Sequence, residues 1–201
     1  MGSSGYGFYQ SGCEKGIYKN CTSIGNQAGV GADSIARGGH GFCSVTGTAT
    51  LYDGCVAGGN ITNTNATGSS SVGFFADNEK DTTWINCEAR ANGSDSIEKN
   101  AGGFYLDDST GACSRCVING CTSFGHRTGG AGVAYGFYDE AAATTTLIID
   151  CFAFGNETAN YYLADGSGST NVSVNAAVTN ESVANITARN PFENVSINVA
   201  S

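Results

Sequence analysis

Residues Ile148 to Asn156 read IIDCFAFGN. A cysteine stands two places before a small residue and five before an asparagine, and Ile148 precedes it by three. The same spacing occurs four more times. The cysteines are Cys21, Cys55, Cys87, Cys121 and Cys151, and the small residues are Ser23, Ala57, Ala89, Ser123 and Ala153. The fifth position carries Asn26, Asn60, Asn92, His126 and Asn156. A Gly-Phe pair opens each unit at Gly7, Gly41, Gly73, Gly103 and Gly136, with spacings of 34, 32, 30 and 33 residues. Five units that agree at glycine, phenylalanine, cysteine and the small position form an internal repeat.

The chain offers these units few helix formers. Val, Ile, Thr, Phe and Tyr alternate with clusters of Gly and Asn, which is strand-and-turn composition. A unit of this length without helices folds back on itself as several short strands. Stacked as one coil per unit, equivalent residues come to lie about 4.8 Å apart, the distance between neighbouring strands. A propeller blade would need two-residue hairpin signals, which are sparse here. The expected fold is therefore all-β, a single-stranded solenoid of five to six coils with three strands around a triangular section.

Columns follow from the stacking. Phe8, Phe42, Phe74, Phe104 and Phe137 form one internal column, and Cys21, Cys55, Cys87, Cys121 and Cys151 another, as small apolar fillers. Asn26, Asn60, Asn92, His126 and Asn156 stand in a turn, where asparagine tolerates a left-handed backbone and passes amide hydrogen bonds from coil to coil.

The Gly-Phe starts and the segments IYKNCTSIGN, LYDGCVAGGN, WINCEARANG, INGCTSFGH and IIDCFAFGN resemble the right-handed parallel β-helix repeat, the pectate-lyase-like superfamily. The resemblance covers about residues 5 to 165. It implies a right-handed parallel β-helix, but members of that family range from lyases and hydrolases to tailspikes and adhesins, so it selects no activity. The reading divides the chain into a repeat domain, 1–165, and a strand-patterned tail, 166–201. The tail continues the helix with irregular coils, crosses a face, or adds a strand to a neighbour's open edge.

Charge narrows the partners. The net charge of −9 repels phosphate backbones and argues against nucleic acid. No apolar run approaches the roughly 18 residues that cross a bilayer. The acids Asp77, Asp107 and Asp139 follow their unit glycines by three or four places, with Asp108 and Glu140 beside them and Asp165 in a degraded sixth unit. The expectation is an acidic row on one face. It is solvated, or it binds an ion or a glycan, or its paired acids hydrolyse glycosidic bonds; calcium, with its oxygen ligands, is the ion that would relieve the repulsion. Calcium-dependent lyases of the family, by resemblance, also need a basic residue in register, and none repeats here. No catalytic residue and no cofactor is assigned.

The remaining cysteines, Cys13, Cys43, Cys113 and Cys116, include the CSRC pair, placed inside the insertion of the fourth unit; a local disulfide or two plain thiols is expected there, and no zinc set is apparent. His40 lies in GGHGF, a Gly-His-Gly triplet that also occurs in pectin-hydrolysing members, but the acid pair Asp107-Asp108 follows rather than precedes it. Nine Asn-x-Ser/Thr sequons exceed the chance number, and Asn65, Asn180 and Asn185 are the best candidates for glycosylation. The function expected is a non-catalytic extracellular or surface structural protein that associates with copies of itself as a fibre, spike or coat component, with contact to polysaccharide or surface glycan. The alternative is a polysaccharide lyase or glycoside hydrolase, or a fragment of one.

Overall fold

The computed structural model describes residues 5–28, 38–62, 70–94, 100–111, 113–129, 132–139, 146–163 and 171–173. These residues form a parallel β-solenoid with no helix among them. Each coil contributes to four sheets rather than three. The first sheet holds β1 (Gly5–Ser11), β5 (Gly39–Val45), β9 (Ser71–Asp77), β13 (Ala101–Asp107), β17 (Ala134–Asp139) and β20 (Ala159–Leu163), in that order. The second holds β2 (Ile17–Lys19), β6 (Leu51–Asp53), β10 (Thr83–Ile85), β14 (Val117–Asn119), β18 (Leu147–Ile149) and β21 (Asn171–Ser173). The third holds β3 (Thr22–Ile24), β7 (Val56–Gly58), β11 (Glu88–Arg90), β15 (Thr122–Phe124) and β19 (Phe152–Phe154). The fourth holds β4 (Gln27–Ala28), β8 (Ile61–Thr62), β12 (Gly93–Ser94) and β16 (Arg127–Thr128).

About four full turns result, fewer than the five to six expected. After them the coil loses its fourth-sheet strand, and β20 and β21 extend only the first two sheets. The triangular section was an undercount because the strand after the asparagine turn is only two residues long and carries no repeated apolar residue to mark it.

The interior is a set of stacked columns. Phe8, Phe42, Phe74, Phe104, Phe137 and Tyr161 stand in register, with successive ring centroids 4.7, 4.9, 4.7, 5.0 and 5.1 Å apart. Tyr18, Tyr52 and Trp84 form a second column, and the Tyr18 and Tyr52 rings meet the phenylalanines edge-on. Both geometries suit aromatic quadrupoles, at about 0.5–1.5 kcal/mol per pair beyond burial.

The Gly-Phe signature has a steric cause. Glycine and phenylalanine both face inward, because the strand bends between them. Tyr6 and Tyr9 consequently share the outer face, stacked at 5.0 Å, as do Tyr135 and Tyr138. A Cβ on Gly41 would lie 2.7 Å from Ala57 Cβ and 3.0 Å from Asn60 Nδ2. The glycine thus leaves room for the small residue and the asparagine of the opposite wall.

Four rows of corner residues take positive φ, the shortest being Gly12, Thr46 and Asn78. One runs Gly25, Gly59, Ala91, Gly125 and Gly155; another runs Asn20, Gly54, Asn86, Gly120 and Asp150. The third runs Lys15, Ala49, Asp81 and Arg115, and there Arg115 grips Asp81 of the coil before through two 2.7 Å hydrogen bonds.

Candidate functional site

Asp77 and Asp107 are the two acids of the expected row that the fold brings together. They are register partners at the ends of β9 and β13. Their side chains are 0% and 1% exposed, which removes them from the solvated surface on which the row was placed. Ser109 Oγ donates to Asp107 Oδ2 at 2.6 Å and lies 3.3 Å from Asp77 Oδ2, and the Thr110 amide donates to Asp77 Oδ1 at 3.1 Å. The extra residues of the fourth unit, beginning at Asp108, thus fold over the pair. Asp108 itself is half-buried.

Asp139 does not join them. It pairs with Leu106, one place short of Asp107, and so occupies the inward column of Gln10, Ser44, Ala76 and Leu106. The cause is spacing: Asp139 follows its glycine by three residues, Asp77 and Asp107 by four. One residue of slip reverses the face. Glu140 and Asp165 lie outside the described residues, as do Asn65, Asn180 and Asn185.

Two carboxylates and one hydroxyl make a poor cage for calcium, which takes 6–8 oxygen ligands. Among the described residues no three of His, Cys, Asp and Glu converge as a metal site. Burial also keeps a sugar ring from reaching either acid, so paired-carboxylate hydrolysis has no access in this conformation.

The turn column is a hydrogen-bonded ladder. Asn26 Nδ2 donates to Asn60 Oδ1, and Asn60 Nδ2 to Asn92 Oδ1, each at 2.8 Å. The same Oδ1 atoms accept the backbone amides of Asn26 and Asn60 at 3.2 Å. His126 takes the next rung, where Nδ1 accepts the Asn92 amide at 3.1 Å. That fixes the proton on Nε2, which faces Ser123 Oγ at 2.9 Å, and the Ser123 hydroxyl donates to the Gly136 carbonyl. Burial holds the His126 pKa down, to about 3. His126 is a neutral structural rung and no general base at neutral pH. His40 is buried on the outer face between Tyr6 and Phe75.

The cysteine column does more than fill space. Cys55, Cys87, Cys121 and Cys151 donate S–H to the carbonyls of Tyr18, Tyr52, Trp84 and Ile118 in the coil before, at 3.4–3.6 Å. All nine cysteines are free thiols. Burial pushes the Cys43 and Cys121 thiols well above the ordinary range, which suppresses the reactive thiolate. The CSRC pair is not part of the insertion. Backbone bridges align Glu14, Thr48, Lys80 and Ser114, so Cys113 and Cys116 occupy the wall positions held by Glu79 and Thr82 one coil earlier.

Glu79 is the feature that sequence reasoning missed. It is fully buried, accepts from Ser44 Oγ and the Gly47 amide at 2.6 Å, and accepts from Thr82 Oγ1 at 2.7 Å. Gln10 Nε2 extends the network to Ser44 and Thr50, and Tyr18 donates to Gln10 Oε1. A Cβ on Gly47 would sit 2.5 Å from Glu79 Oε1. The aligned quartets CEKG, GTAT, EKDT and CSRC carry the signal: one coil has glycine where the next has a carboxylate. This buried carboxylate is satisfied on all sides and braces the wall.

Comparison with protein-family models, with characterised proteins and with solved structures returns no match. The functional reading rests on the residues themselves.

Proposed function

We propose that this chain is a non-catalytic structural solenoid of the right-handed pectate-lyase-like kind, built to associate with copies of itself as a component of a fibre, spike or coat at a surface or outside the cell. The observation that carries this reading is the first coil. Among the described residues β1, β2, β3 and β4 each have a strand neighbour on one side only. The interior columns end there on Phe8, Tyr18 and Cys21, which are only partly buried. Strand edges with no neighbour among the described residues are a template for further strands, which a second copy of this chain can supply. Elsewhere the potentially reactive groups are engaged in the wall: Asp77 and Asp107 are covered, His126 is held neutral, and Glu79 is enclosed. Glycan contact, in this reading, is made along the polar outer faces.

Light scattering and electron microscopy of the purified protein test it. Concentration-dependent assemblies are expected, and particles that remain monomeric at all concentrations would remove the reading. Release of unsaturated or reducing sugars from acidic polysaccharides, with calcium added, would favour a lyase or hydrolase instead.

A further inference from the structure

We propose that the cysteine column binds soft monovalent cations with a filled d shell, Cu(I) above all, each ion held in line between the Sγ atoms of cysteines in successive coils. The site is independent of self-association, and either can fail without the other.

The thiols of the column sit over equivalent carbonyls. Cys55, Cys87, Cys121 and Cys151 Sγ lie 3.4, 3.5, 3.6 and 3.4 Å from the oxygens of Tyr18, Tyr52, Trp84 and Ile118, each in the coil before. They lie 3.7, 3.4, 3.5 and 3.2 Å from the oxygens of Asp53, Ile85, Asn119 and Ile149, two residues earlier in their own coil. Cys21 repeats the second contact at 3.4 Å with Lys19. The same contacts in each coil place the sulfurs alike, so successive sulfurs are separated by the rise of one coil, about 4.8 Å.

That separation selects the ligand. The Cβ atoms of in-register neighbours are also about 4.8 Å apart, beyond the ~3.5–4.5 Å that a disulfide spans. Metal–thiolate bonds are ~2.3 Å long, so two of them in line span ~4.6 Å, and an ion enters the gap with little movement of either thiol. Zinc in a structural site takes four ligands in a tetrahedron. Each gap offers two sulfurs on opposite sides, and among the described residues no three of His, Cys, Asp and Glu converge. Calcium takes oxygen ligands. An ion satisfied by two thiolates in line is what fits, and soft thiolates select Cu(I).

Binding is a ligand exchange with no redox change. Two S–H bonds break, two S–Cu bonds form, two protons leave to the buffer, and copper stays at +1. The bis-thiolate carries one negative charge. The Cys87 amide donates to Cys121 Sγ at 3.4 Å, and such a bond favours the charged form of the sulfur. Cys55, Cys87, Cys121 and Cys151 are at most 2% exposed, so an ion enters as the coils open locally.

The experiment equilibrates the reduced full chain with Cu(I), without oxygen, in competition with a chromogenic Cu(I) chelator. The parent should withdraw copper from the chelator. C55A/C121A leaves Cys21, Cys87 and Cys151 two coils apart and should bind roughly a hundredfold more weakly or worse, because the second ligand is no longer in place. C21A/C151A removes as many thiols but keeps Cys55, Cys87 and Cys121 adjacent, and should bind with the parent's affinity. C113A/C116A, which removes the dithiol of the wall, should also bind with the parent's affinity, and X-ray absorption of its copper should show two sulfur neighbours and no others. Circular dichroism establishes that each variant keeps the coil. C55S/C121S, whose hydroxyls can still donate to the carbonyls, replaces C55A/C121A if that variant does not fold, and the coordination in C113A/C116A decides if neither folds. A parent that takes up no copper, equal losses in C55A/C121A and C21A/C151A, a loss confined to C113A/C116A, or nitrogen, oxygen or a third sulfur around the ion would each overturn the assignment.

Discussion

Asn60 Nδ2 donates to Asn92 Oδ1 across 2.8 Å, and the same oxygen accepts the Asn60 backbone amide at 3.2 Å. One side chain therefore satisfies two buried donors of the coil before, while its own Nδ2 serves the Gly102 carbonyl at 3.1 Å. Truncation to Asn92→Ala leaves these groups without partners, and each orphaned buried polar group costs roughly 1–3 kcal/mol. A loss of about 3 kcal/mol or more is expected in urea denaturation.

His126 gives the ladder a pH dependence. Its folded pKa is depressed to about 3 from the ordinary 6.5. Between those values the unfolded chain binds a proton that the folded chain refuses. The stabilisation is therefore complete above pH 6.5 and declines as pH falls, at about 1.4 kcal/mol per pH unit. His126→Asn should flatten that part of the profile. Melting temperatures of the parent and the variant from pH 7 to pH 4 measure the difference between them, which should widen toward acid.

Ala91 holds φ at 49° in a row whose other members are Gly25, Gly59, Gly125 and Gly155. A left-handed alanine costs roughly 1–2 kcal/mol relative to glycine, partly offset by the larger unfolded-state entropy of glycine. Ala91→Gly should stabilise the protein by about 0.5–1 kcal/mol, read as a raised melting temperature. Gly125→Ala should do the opposite.

Gly73 lies where a Cβ would stand 2.8 Å from Ala89 Cβ, 2.9 Å from the Gly103 carbonyl oxygen and 3.0 Å from Asn92 Nδ2. None of these is the far end of a flexible side chain. Gly73→Ala should cost about 3 kcal/mol or more through overpacking, and the double variant Gly73→Ala with Ala89→Gly should recover part of the loss.

The thiols supply a test of the interior. Cys13 and Cys21 are partly exposed and the other seven are buried. Brief alkylation of the native protein should label those two, and denaturant should open the remaining seven; mass spectrometry counts the labels.

The solenoid was legible in the sequence because residues that stack must resemble one another, and aromatic rings and thiols are conspicuous when repeated. Polar residues were harder to place. Asp139 looks equivalent to Asp107 by eye, but it lies level with Leu106, and a one-residue slip decides between the outward and the inward face of the strand. Glu79 escaped because its column contains Cys13, Gly47, Glu79 and Cys113, three residue types whose only common feature is complementary volume. The two-residue strands of the fourth sheet escaped because a strand that short carries no period.

The alternation of Asn20, Gly54, Asn86 and Gly120 along one corner has a further consequence. Asn20 Oδ1 lies 2.6 Å from where a Cβ on Gly54 would be, and Asn86 Oδ1 lies 2.7 Å from the same point on Gly120. Each amide fills the vacancy left by the hydrogen-bearing corner above it, so this edge of the molecule counts in twos. Excising a single coil would set amide against amide or bare corner against bare corner, whereas removing or duplicating two consecutive coils would leave the alternation intact. The natural increment for shortening or lengthening this rod is a pair of turns.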